Sequence, residues 1–202
     1  MSPRTSFALL AAAVTASCAH RPPPATSRAP APTAPAAPPA PPATARPTAD
    51  DAWAHRAEPG RLEQAIAGWE RLAAASPARA DLELALARAY TLVGERARDS
   101  GGSAEAQAEA YAQAVRAGEA ALAAASPAVA ARLDAGTYVE DALEGAGVEV
   151  LPAVYVYATS VAGFALARGL AGAVHLQRRV EVLFDWVIVH DEGHACAGAH
   201  RG

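Results

Sequence analysis

Apolar residues recur along this chain at helical spacing from about Arg61 onward, and the polar positions between them mark where each helix turns outward. Arg61 to Ala75 sets Leu62, Ile66, Trp69 and Leu72 on one face, and Ser76-Pro77 stops it, because the residue before a proline is driven out of the helical region. Ala80 to Val93 repeats the arrangement with Leu82, Leu86, Ala89, Tyr90 and Val93, ending near Gly94. The cluster Asp99-Ser-Gly-Gly-Ser103 predicts a loop, with Ser103 as the N-cap of a third helix running to Ala125, where Ser126-Pro127 is the stop. A short helix is expected over 133–143. Gly145-Ala-Gly147 predicts a turn, and the β-branched stretch 148–151 also fits a strand.

The last fifth carries the strongest pattern. From Val150 to Ala167 no charge interrupts the chain, so this helix asks for burial around most of its circumference. It also reaches the lower length limit for a membrane span, but Pro152, Thr159, Ser160 and Gly163 dilute it, which favours a buried helix. A second, amphipathic helix follows, with Leu176, Val180, Leu183, Phe184, Val187 and Ile188 on one side and Arg178, Arg179, Glu181 and Asp185 on the other. A link over Arg168–Gly172 closes the two into an antiparallel hairpin. The fold expected from these patterns is all-α, built from antiparallel helical hairpins.

The segments Leu72–Pro77 and Leu122–Pro127 have the same sequence, LAAASP, and each closes a helix. With Ala65, Trp69, Leu72 and Pro77 followed by Leu86, Tyr90 and Gly94, the spacing resembles a degenerate tetratricopeptide repeat, in which small and large residues interlock between paired helices. An irregular helical bundle is the alternative.

Composition changes the picture at the front. Residues 1–17 combine Arg4, an apolar stretch from Phe7 to Val14 and small residues before Cys18, and so resemble a bacterial lipoprotein signal peptide. The resemblance implies cleavage before Cys18, lipid attached to it, and a place on the periplasmic face of the envelope. Ala19, where an Asp would retain the protein at the inner membrane, favours the outer membrane. Residues 18–49 are almost wholly Pro, Ala, Thr and Arg, which favours an extended tether of about 3 Å per residue over helix or strand. The helical domain is expected from residue 50 to residue 202. With Cys18 acylated, Cys196 is left without an internal disulfide partner.

The net charge of −4 is spread rather than clustered, which argues against nucleic acid. All 17 basic residues are arginine, consistent with a GC-rich coding bias that also weakens alanine as a helix signal. No phosphate loop, nucleophile elbow or carboxylate pair is present, so an enzyme is not expected. Metal-ligand chemistry is concentrated in His190, Asp191, Glu192, His194, Cys196 and His200. Asp191 stands where a zincin motif needs Glu, and Gly193 interrupts a helix, so a polar helix terminus is the expectation and no metal or cofactor is assigned. Tyr155 and Tyr157 are the candidate ligand-binding residues. About 200° of helix rotation separates them, so one of the two belongs to the core.

Val154-Tyr-Val-Tyr-Ala158, Phe164–Gly169, Val180–Leu183 and the ending Gly198-Ala-His200-Arg201 together resemble the T-component of tripartite ATP-independent periplasmic (TRAP) transporters, tetratricopeptide-type periplasmic lipoproteins. The resemblance covers roughly residues 63–202. It implies a non-catalytic accessory protein that docks with the transporter's periplasmic solute-binding protein and shares a small, often apolar ligand with it. Members continue into further helical repeats after the His-Arg motif, so this domain is expected to be C-terminally truncated relative to them. A general lipoprotein scaffold for envelope assembly is the alternative function, and a small metalloenzyme built on the terminal His/Cys cluster a third.

Overall fold

A computed structural model describes residues 45–196, which form eight α-helices and two short 3₁₀ turns, with no strand among the described residues. The class is all-α, as the periodicity implies. The signal segment, Cys18, most of the tether and His200 lie outside the described residues.

Helix α1 (Ala45–Ala54) begins inside the stretch read as tether. Pro47 does not prevent this, because in a first helical turn its missing N–H would have had no partner anyway. Helix α1 packs on α2 (Arg61–Ala75) through small residues: a Cβ added at Gly68 would stand 2.7 Å from the Cβ of Ala49. Polar contacts then fix the pair. Trp69 Nε1 donates to Asp50 Oδ1 at 2.9 Å, Arg46 bonds the same carboxylate, and Arg46 also reaches Asp81 at 2.8 Å, at the start of α3 (Ala80–Asp99).

Helix α4 (Ala104–Ala125) starts where the sequence places it, with the Ser103 hydroxyl accepting from Ala106 N at 3.2 Å. The Ser126-Pro127 stop is also a start. Ser126 accepts from Val129 N, and Pro127 opens α5 (Pro127–Asp134) with a dihedral suited to a first turn. The single helix expected over 133–143 is instead divided, because Gly136 takes a left-handed conformation (φ 79°) between α5 and α6 (Val139–Ala142). The stretch 148–151 is not a strand. With no partner strand to pair with, Val148–Val150 makes a 3₁₀ turn that leads into α7 (Leu151–Ala167).

Helix α7 is buried around most of its girth, with contacts to α3, α4 and α8 (Gly169–His190). The stretch Val148–Ala167 is apolar and long enough to cross a membrane, and 61 % of it is buried within the fold, so it acts here as the core helix. The link to α8 is tighter than expected. Only Arg168 falls outside helix, and Gly169 (φ 75°) reverses the chain with a backbone conformation that a side chain would strain.

The helices therefore associate in hairpins α1/α2, α3/α4 and α7/α8, with α3 touching both α2 and α7, and α4 packing the second hairpin onto α7 of the third. Two adjoining apolar clusters result. One joins α1, α2 and α3 and takes in Ala117 of α4 and Val156 of α7, and the other joins α4, α5, α6, α7 and α8.

Candidate functional site

Helices α1, α3 and α7, the first members of the three hairpins, line one side of a concavity, and the last turn of the described chain closes its end. The cavity holds about 510 Å³ and takes Trp53 from α1, Arg56 from the turn after it, Arg88, Thr91, Leu92 and Glu95 from α3, and Tyr155, Val156 and Thr159 from α7. A second hollow of about 340 Å³, floored by Trp69 and Leu84, shares Trp53 and Arg88 with the first, so the two form neighbouring parts of one groove.

The groove is built from rigid pieces. Trp53 packs its ring on Trp69 at a centroid distance of 5.6 Å, and the Arg56 guanidinium lies 4.6 Å over the Trp53 ring, within cation–π range. Arg96 donates to the Arg56 carbonyl at 2.6 Å and so ties the segment after α1 to α3. Thr91 and Thr159 are turned back on their own helices, donating to Ala87 O at 2.8 Å and Val156 O at 2.9 Å. Beneath them the fully buried Ser160 meets Thr91 Oγ1 at 2.9 Å, a polar contact that joins α7 to α3 under the floor. Arg88 differs: among the described residues it has no hydrogen bond or ion pair, and its charge stands free between the two hollows.

The two candidate tyrosines part company here. Tyr155 faces the groove, edge-on to Phe184 at 6.3 Å and to His194 at 5.3 Å. Tyr157 does not line it. It is fully buried on the opposite side of α7, against Gly118, and its hydroxyl donates to Glu119 Oε1 at 3.0 Å. Burial first, and the Glu119 carboxylate beside it second, push the Tyr157 hydroxyl well above the usual phenol range. Tyr157 thus belongs to the core: two residues along a helix lie on opposed faces, and the α4 side is the core side.

The terminal cluster is drawn apart in the same way. His190, in the last turn of α8, stacks on Trp186 at 3.7 Å and bonds the Trp186 carbonyl through Nδ1 at 2.7 Å, as suits a polar helix terminus. After Asp191 the chain folds back, with Gly193 N donating to Asp191 Oδ1 at 3.1 Å and Ala195 left-handed (φ 51°). That turn carries His194 to Tyr155 and the groove, with its Nδ1 3.8 Å from Asp191 Oδ2. Among the described residues no three His, Cys, Asp or Glu side chains converge as a metal set.

No family model and no curated protein matches this chain.

Sequence reasoning found Tyr155 but missed Trp53, Arg56, Arg88 and the groove role of His194. Arg88 lies on the exposed side of α3, Arg56 and His194 lie in turns, and Trp53 is half-buried on α1, which begins in the stretch that composition assigns to the tether. Trp53 itself was the one available signal, since tryptophan is among the residue types most often found at binding surfaces.

Proposed function

We propose that this chain is a non-catalytic, lipid-anchored accessory protein of a TRAP transporter, and that the groove of α1, α3 and α7 receives the periplasmic solute-binding component. The observation that carries the binding role is the convergence on one concavity of Trp53, Arg88 and Tyr155, from three separate helices, with Arg56 from the turn after α1. Tryptophan, tyrosine and arginine are the residue types that most often anchor interfaces, because they combine large contact area with a polar tip. Stacked helical hairpins recognise partners on concave surfaces of this kind. The volume, about 510 Å³, also lies in the range of small-molecule pockets, which suits a ligand shared between the two proteins. The choice of partner rests on the sequence resemblance over roughly residues 63–202, strongest from Leu151 onward, and the anchor rests on Cys18.

A photo-crosslinking residue placed at Arg88, in the lipoprotein expressed in its source cells, tests the reading. A TRAP solute-binding protein is the expected dominant adduct by mass spectrometry, lost when Trp53 is also replaced by Ala. Adducts with envelope-assembly proteins instead would overturn the transporter role and move the same groove to the scaffold function.

A further inference from the structure

Helix α8 buries Leu183, Phe184 and Val187 against the fold, yet its opposite face is not the polar surface expected of an outermost helix. Val174, Val182 and Val189 stand on that outer face with 66 %, 37 % and 81 % of their surface exposed. At about 100° per residue, Val174, Arg178, Val182, Asp185 and Val189 fall within an arc of about 80°, centred away from the buried side. Stacked hairpins ordinarily close with a polar outer face, since an apolar one invites association. Both charges in this stripe are also uncommitted: among the described residues, neither Arg178 nor Asp185 has a hydrogen bond or ion pair.

The order of the stripe is symmetric. Val174 and Val189 lie equally far from the point between Glu181 and Val182, and so do Arg178 and Asp185, which are opposite in charge. We propose that this face is a homodimer interface, with α8 of two copies packed antiparallel about a two-fold axis beside Val182. In that pairing Val182 meets Val182 of the second copy, Arg178 of each copy meets Asp185 of the other, and Val174 meets Val189 at both ends. A parallel pairing would bring Arg178 against Arg178 and Asp185 against Asp185, which Coulomb repulsion disfavours. An isologous contact of this form is closed, so it yields dimers and not filaments. The face is one helix wide and therefore weak in dilute solution, and confinement on a membrane would raise its occupancy through effective concentration. The inference does not depend on the transporter reading, because the α8 face and the groove use different residues.

The test uses the full chain purified in detergent. Sedimentation equilibrium should show a concentration-dependent dimer, weakened at least tenfold by Arg178→Asp and by Asp185→Arg, and recovered when both changes are combined in one chain. Circular dichroism should show all three variants folded, since both positions are exposed. In a Cys196→Ser background, Val182→Cys should give a disulfide-linked dimer on oxidation. Val174→Cys alone should not, while an equal mixture of Val174→Cys and Val189→Cys chains should. A monomer at every concentration up to several hundred micromolar, failure of the double charge reversal to restore association, or efficient self-crosslinking of Val174→Cys would each overturn the proposal.

Discussion

Gly163 of α7 lies so close to the ring of Tyr111 on α4 that a Cβ built at residue 163 would stand 2.3 Å from Tyr111 Cε1. The same ring covers Gly94 of α3, where an added Cβ would stand 2.8 Å from it. One buried aromatic thus sits where α3, α4 and α7 approach one another, and two missing side chains make room for it.

Gly163→Ala should therefore cost about 1–3 kcal/mol, the usual range for overpacking a filled core. Urea unfolding followed by circular dichroism measures it. Combining the change with Tyr111→Leu should recover part of the loss, because the two sites share one space and their effects are not additive. A Gly163→Ala protein as stable as the parent would contradict the packing described.

The two tyrosines of α7 should separate stability from binding. Tyr157→Phe removes the bond to Glu119 and should cost about 1 kcal/mol, while Tyr157→Ala should cost about 3–5 kcal/mol by opening a core cavity. Tyr155→Ala should cost less than Tyr157→Ala, because Tyr155 is only partly buried, yet weaken partner binding. Thermal melts beside a binding titration distinguish the pair.

Asp81 should give the α1 docking an acid limit. Hydrogen bonds from Arg79 first, and from Arg46 across to α1, hold its carboxylate well below the usual range despite some desolvation. A folded pKa below the unfolded one means that the stabilisation is complete above about pH 4 and is lost as pH falls below it. The group is half exposed, so the contribution is about 1 kcal/mol or less. Tryptophan fluorescence from Trp53 and Trp69 should report loosening of α1 in acid, and Asp81→Asn should reduce that pH dependence.

Arg88→Glu tests the groove by charge. Among the described residues Arg88 has no hydrogen bond or ion pair, so the melting temperature should stay within about 2 °C of the parent, because surface substitutions of this kind usually cost under about 0.5 kcal/mol. Affinity for the docked partner should fall at least tenfold in calorimetric titration. An unchanged affinity would remove Arg88 from the recognition surface.

Helical periodicity alone determined the all-α class, the extents of α2, α4 and α7, the Ser103 cap and the burial of the uncharged helix, because each follows from interactions within a few residues or from the count of apolar groups that water excludes. It also showed that Tyr155 and Tyr157 must face apart. Which of them is core was decided only by tertiary structure, since that depends on where α4 places Gly118 and Glu119. Local patterns misplaced the start of α1 and merged α5 with α6, because a proline in a first turn and a left-handed glycine act through position rather than composition. The groove itself was invisible to the sequence: Trp53, Arg88 and Tyr155 lie far apart along the chain, and only the packing of three hairpins, driven by burial of their other faces, brings them to one concavity.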